Sequence, residues 1–314
     1  MSESSQASPA PNPAPPAAGA GSPSASPEPG LPPSPAYEVV IAPGRGGLVG
    51  ALRECWQYRE LLYFLAWRDV KVRYKQTVLG AAWAVLQPLV NMVIFTVIFN
   101  LIAHIGPANW KAYAIFAFAG QLPWMLFQSS LVQSSGSIVS SAHLLTKVYF
   151  PRLLSPLASV VSALLDFSIS MVILIAMMVV ARVPVHWGIL CLPLFVFMAV
   201  AAALSVGMWL AALNAKYRDV RYAVPFMAQV WMFLSPVAYP AEKMISFLKD
   251  LGIPEWVYPL NPMVGVVEGF RWSILGQGGP APASLAISAG VIVALLLGGL
   301  LYFRSVERTF ADVL

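Results

Sequence analysis

Apolar residues recur along this chain in long runs, not in the narrow stripes of a water-facing helix. Six runs approach the roughly 20 residues that carry a helix across a bilayer core, at about 79–103, 112–137, 153–181, 187–213, 222–240 and 281–303. Only the third contains a charged residue, Asp166. Ahead of the first run, Leu52–Trp67 places Leu52, Cys55, Trp56, Leu62, Tyr63 and Ala66 roughly on one helical face, interrupted by Arg59. That pattern predicts an amphipathic helix lying in the membrane interface, with Trp56, Tyr58, Tyr63 and Trp67 at headgroup level. Between the fifth and sixth runs the apolar pieces are too short to cross and are broken at Gly252, Pro254, Pro259 and Pro262. Met263–Leu275 is the clearest of them, and such pieces predict re-entrant or interfacial helices.

The expected fold is therefore an all-α integral membrane protein with six transmembrane helices. An N-terminal interfacial helix precedes them, and short re-entrant helices separate spans five and six. Residues 1–36 hold 11 of the 27 prolines among Ala, Ser and Gly and are expected to be a disordered tail. They lack the basic start and apolar core of a signal peptide, so the first span is expected to direct insertion itself. Residues 37–78 form the cytoplasmic segment that carries the interfacial helix, and 79–314 the six-span domain. No repeat of 20 to 50 residues and no inverted halves of the secondary-transporter kind are visible.

Composition agrees with that pattern. The chain has 314 residues, 58% hydrophobic and 11% charged, and a mean hydropathy of +0.71. A water-soluble domain carries about 25% charged residues. The net charge of +5 sits in short clusters between apolar runs and reads as topology, not as a nucleic-acid surface. Fourteen Lys and Arg flank one side of the six spans and five the other, which places both termini in the cytoplasm. RDVKVRYK, Arg68–Lys75, with four cations and one anion, is the densest cluster and is expected to stay there. Cys55 and Cys191 fall in different layers and imply no disulfide framework.

Catalytic signatures are missing. There is no GxxxxGK[ST] phosphate cradle and no CxxC or HExxH spacing, and His104, His143 and His186 are scattered, so neither a metal site nor a cofactor is expected in this chain. A membrane glycosyltransferase would need a carboxylate pair on a cytoplasmic loop, and the cytoplasmic loops between spans offer only Asp219. Asp166 lacks a second carboxylate or histidine at helical spacing within its span, which leaves intramembrane catalysis unsupported. A carboxylate inside a span must be neutral, paired or wet. Asp166 is thus either a group on a hydrated pathway or a hydrogen-bonded tie between helices.

Helical faces supply the other candidates. Gly80, Trp83, Gln87 and Asn91 fall at steps of three and four on the first span, and Gln229 and Phe233 stand one turn apart on the fifth, bracketed by Pro225 and Pro236. Such amide and aromatic groups can line a channel for a hydroxyl-rich chain, or they can join helices within the bundle. The segments Ser140–Arg152 and Asn214–Tyr222 are too patterned to be plain tethers. Either they transmit force from a docked partner or they are positive-inside anchors.

Several segments in one order resemble a known family: RDVKVRYKQTVLGAAWAVLQPL (Arg68–Leu89), HLLTKVYFPRLLSPLA (His143–Ala158), NAKYRDVRYAVPF (Asn214–Phe226), FLSPVAYP (Phe233–Pro240), NPMVGVVEGFRW (Asn261–Trp272) and VERTFADVL (Val306–Leu314). Over about residues 48–314 the chain is similar to the permease subunit of type-2 ABC exporters for polysaccharides, of the Wzm O-antigen kind. The resemblance implies a homodimer that works with two copies of a separate ATP-binding subunit, where ATP and Mg act. It further implies export of a polyprenyl-linked polysaccharide across the bacterial inner membrane. It assigns contact with that subunit to His143, Lys147, Tyr149 and Arg152 and to Arg68, Lys71 and Arg73. It places an outer gate after the fifth span, where Asn261, Pro262 and Phe270 are the candidates. The pathway candidates Trp83, Gln87, Asn91, Asp166, Gln229 and Phe233 rest on helical faces and burial cost alone. Export of capsular polymer or teichoic acid, or passage through an ATP-independent channel or flippase, are the alternatives.

Overall fold

A computed structural model describes residues 48–75, 82–105, 109–145, 150–217, 219–276 and 278–307; the N-terminal tail lies outside these. The described residues are helical throughout, with no strand. Helices α1 (Leu48–Gln57) and α2 (Arg59–Lys75) precede α3 (Ala82–Phe95), which continues as a π-helix over Thr96–Ile102. Then come α4 (Trp110–Ser140), the short α5 (Ala142–Leu145), α6 (Leu154–Val180) and a 3-10 turn at Trp187–Cys191 leading into α7 (Leu192–Lys216). The chain ends with α8 (Val220–Phe233), α9 (Ala241–Asp250), a 3-10 turn at Glu255–Leu260, α10 (Pro262–Leu275) and α11 (Pro282–Glu307).

Helix limits follow local chemistry. Asn109 caps α4 by accepting from the Lys111 amide at 3.0 Å, and Pro193 opens α7 within its first turn, where a missing N–H costs nothing. Gly276, at φ 67°, closes α10 in the left-handed conformation.

Among the described residues five helices are long and apolar enough to cross a membrane: Ala82–Ile102, Trp110–Ser140, Leu154–Ala181, Trp187–Lys216 and Pro282–Val306. They match five of the six expected runs within a few residues. The run at 222–240 does not form one long helix. It is helical only over Val220–Phe233, 14 residues, or about 21 Å. The chain then turns through Leu234–Tyr239. Pro236 disfavours helical geometry at Ser235, and the carbonyls released there find side-chain partners described below.

The interfacial segment also differs from expectation, because Tyr58 divides it into two helices. The face that packs is Cys55, Leu61, Leu62, Leu65 and Ala66, set against Phe150, Leu154 and Ala158 at the start of α6. Trp56 and Tyr63 lie outside that face and are 71% and 70% exposed. A step of one residue turns a helix by about 100°, so the two rings share a different stripe from Leu62 and Ala66.

The centre of the bundle is α4: 72% of its apolar stretch is buried, against 22% for α3, α6 and α11. It packs on α6 and α7, while α7 also holds α11 and α10 bridges α4, α7 and α11. Small residues permit this closeness. A Cβ at Gly207 on α7 would stand 2.9 Å from the Ser134 Cβ on α4. The last turns of α4 present carbonyls that serine and asparagine satisfy: Ser155 Oγ donates to Ser137 at 2.9 Å and Asn214 Nδ2 to Ser135 at 2.8 Å. Asn214, from the patterned loop segment, therefore ties α7 to α4.

Candidate functional site

Helices α2, α3, α4, α6 and α8 enclose a cavity of about 570 Å³. From α3 it takes the predicted stripe, Trp83, Gln87 and Asn91, one above another on successive turns. Asp166, Phe167 and Ser170 face them from α6, Gln128 and Ser129 from α4, and Leu122, Met125, Leu126 and Val132 supply an apolar wall. Trp83 is 51% exposed, so its ring is available to an occupant. Behind the lining, Trp231 meets Trp124 and Phe127 edge to face at 6.5 and 5.1 Å, and those two rings lie tilted at 5.2 Å, which stiffens the α4–α8 side. The Trp124 indole also donates to Gln128 Oε1 at 3.1 Å, fixing how that amide is presented.

At one side of this cavity the carboxylate of Asp166 is paired. Arg73, one turn from the end of α2, gives Nη1 to Asp166 Oδ2, and Nη2 to Gln133 Oε1 on α4 and to Ser162 Oγ on α6, the latter at 3.1 Å. Tyr74 donates its hydroxyl to Asp166 Oδ1. Burial first, and the bond to Asp166 second, push the Tyr74 phenol up to about 12. Asp166 is thus a hydrogen-bonded tie between helices that also forms part of the cavity wall.

Arg73 departs from its expected place. It belongs to the basic cluster assigned to partner contact, yet its side chain turns inward and is only 29% exposed. The packing stripe of α2 explains this, since Leu62, Ala66, Asp69 and Arg73 follow at steps of four and three. Sequence reading could have found it by extending the apolar face past Trp67. Arg68 instead pairs with its neighbour Asp69 at 2.8 Å, and Lys71 is exposed. His143 is exposed on α5. Arg152 lines a small pocket with Glu54, Cys55, Phe303 and Arg304. Lys147 and Tyr149 lie outside the described residues.

Gln229 and Phe233 do not join the cavity. They sit on the exposed side of α8, whose contribution to the wall is Pro225. The gate candidates are also placed differently from residues that line an opening. Pro262 is buried, and Phe270 is fully buried with its ring edge-on to Phe167 at 6.0 Å. Asn261 is a clamp. Its Oδ1 accepts from the Met263 amide and the Trp231 indole, at 3.1 and 3.0 Å. Its Nδ2 donates to Ser235 Oγ at 2.9 Å and to the Leu234 carbonyl at 3.2 Å.

Arg271, inside the predicted Met263–Leu275 helix, is 6% exposed. Its Nη2 donates to the carbonyls of Pro236 and Val237 at 2.8 and 2.9 Å, and its Nε to that of Phe116 at 3.3 Å. The guanidinium lies 3.7 Å from the centre of the Phe116 ring, and Tyr113 Oη donates to the Ala238 carbonyl at 2.5 Å. Arg271, Tyr113 and Asn261 therefore pin the turn after α8 to α4 and α10. Among the described residues no cluster of three or more His, Cys, Asp or Glu could hold a metal.

A multi-pass helical bundle whose helices enclose a largely apolar cavity studded with amides and a ring is the build of a membrane permease. The chain belongs to the ABC-2 type transporter family, whose model matches residues 60–275; that family is the permease component of its transporters, not a catalytic one. It is 30% identical to the O-antigen export system permease protein RfbA of Myxococcus xanthus, over 84% of this chain and 99% of that protein. A protein of the same name from Klebsiella pneumoniae is 28% identical over 81% of this chain and 95% of its own length. The polysialic acid transport protein KpsM of Escherichia coli is 24% identical over 77% and 91%.

Proposed function

We propose that this chain is the membrane half of an ATP-driven exporter that moves a lipid-linked O-antigen, or a related polysaccharide, outward across the bacterial inner membrane. Two copies form the passage. Each crosses six times with both termini in the cytoplasm, α8 being the fifth crossing and α9 and α10 re-entering from the outer side. Two copies of a separate subunit bind ATP and Mg and supply the stroke through α2 and the segment His143–Arg152. The bias of Lys and Arg supports the orientation, and the relatives' names support the cargo.

The observation that carries this reading is the cavity itself. Gln87, Asn91, Gln128 and Ser129 offer hydroxyl-matching donors and acceptors, and Trp83 offers a ring face for the apolar side of a sugar. Asp166 is neutralised by Arg73, so a polar but uncharged chain meets no unpaired charge there. Capsular polymer is the second reading, favoured by the two polysialic acid transport relatives at 23–24% identity.

The test is reconstitution in vesicles with the proposed ATP-binding subunit and a lipid-linked polymer. ATP-dependent movement to the far leaflet is expected. Translocation by this chain alone, without nucleotide, would overturn the proposal and support a channel or flippase. Trp83→Ala removes ring stacking of ~0.5–1.5 kcal/mol and should slow transport roughly three- to tenfold.

A further inference from the structure

The six residues between Lys75 and Ala82 join α2 to the helix that carries Trp83, Gln87 and Asn91. Among the described residues α2 packs on α6, and both α6 and α4 pack on α3. The end of α2 is held from two directions. Leu65 and Ala66 pack on Phe150, Leu154 and Ala158; two turns later Arg73 meets Ser162 and Asp166 further along the same helix. So α2 lies along the first half of α6, to a point about 18 Å from Leu154. The guanidinium then bridges to a second span through Gln133 on α4. Both pair members and Tyr74 also line the cavity with the α3 stripe.

We propose that Arg73 and Asp166 are positioning residues for transport: their ion pair is the joint through which displacement of α2 is delivered to the α3 wall of the cavity. The inference rests on the transport reading above. Arginine suits the role because its planar fork holds the carboxylate with one nitrogen and reaches Gln133 and Ser162 with another. A lysine would keep the charge and lose the bridge. Removing one partner leaves a charge at the cavity side with no opposite, whereas removing both leaves none.

The test uses the complex of this chain with its ATP-binding subunit and compares Arg73→Gln, Asp166→Asn, the double Arg73→Gln/Asp166→Asn and the charge-exchanged Arg73→Asp/Asp166→Arg. Melting temperature, complex assembly, ATPase rate and export are measured together. A thiol introduced by Trp83→Cys, in a Cys55→Ser/Cys191→Ser background, reports wall movement through its ATP-dependent alkylation rate.

Both single variants should lose export about five- to 150-fold, the range of a typical coupling energy, while ATPase rate and assembly hold. The neutral double should melt like the parent, because no charge is stranded, yet show no ATP-dependent change at position 83. Exchange of charges should restore that change and part of the export, and Arg73→Lys should fall between. The joint is refuted if the neutral double exports and alkylates like the parent, or if charge exchange gives a folded complex with no recovery. If the parent complex itself shows no ATP-dependent export, the transport reading fails instead. The thiol at position 83 then still reports whether α2 and α3 are linked.

Discussion

Gly120 on α4 offers a one-methyl test of how the turn after α8 is held. A Cβ built there would stand 2.6 Å from the Val237 carbonyl oxygen and well inside contact with Arg271 Nη2, whose carbon Cζ would lie at 3.1 Å. The carbonyl belongs to a turn fixed by Tyr113 and Asn261, so it cannot retreat freely. The guanidinium must move, and with it one of the two bonds to Pro236 and Val237. A charge-assisted hydrogen bond lost in a buried site costs ~1.5–3 kcal/mol, and overpacking costs ~1–3 kcal/mol. Gly120→Ala should therefore destabilise the fold by about 3–5 kcal/mol, roughly a hundredfold or more in the unfolding constant. Gly136 on the same helix has nothing within 4 Å of its virtual Cβ, and Gly136→Ala should shift stability by no more than about 1 kcal/mol. Unfolding in mixed detergent micelles, followed by tryptophan emission, compares the two. In an Arg271→Met background the cost of Gly120→Ala should shrink by about 1.5–3 kcal/mol. Equal midpoints for Gly120→Ala, Gly136→Ala and the parent would refute the pinning argument.

Asn261→Ala removes four hydrogen bonds at once, the cap of α10 among them, and should cost about 2–3 kcal/mol in the same assay. Asn261→Asp keeps the cap and the Trp231 acceptor but loses the two donors, and should fall between. Tyr74 gives a pH signature: its phenol is pushed up to about 12 from about 10 in the unfolded chain. Its contribution is whole below pH 10 and disappears as pH rises toward 12. Tyr74→Phe should remove one phenolate absorbance step near pH 12 and that part of the alkaline loss of stability. A step lost near pH 10 instead would place Tyr74 in water.

The five helices long and apolar enough to cross and the α3 positions Trp83, Gln87 and Asn91 were legible along the chain because each depends on the spacing of residues within one helix. Long apolar runs can satisfy their backbone in lipid only as helices, and the three- and four-residue steps of Trp83, Gln87 and Asn91 put them on one face wherever that helix is packed. Gln229 and Phe233 do share a face of α8, but it is the exposed one, because the buried face of that helix bears Val224 and Ala228. It missed Gln128 on α4, although Gln121 and Gln128 stand two turns apart on one side of that helix.

From sequence alone came the membrane class, the positions of the spans, the bias in charge and the stripe of candidate side chains. These follow from local periodicity and from the cost of placing polar groups in lipid. Only the tertiary structure decided that Arg73 turns inward to Asp166, 93 residues away. It alone showed that Arg271 and Asn261 bind the carbonyls released where Pro236 ends α8, so that the run at 222–240 is helical over only part of its length. Such choices belong to pairs of groups on different helices, and no spacing within a single segment encodes which partner a desolvated charge or an open carbonyl will meet.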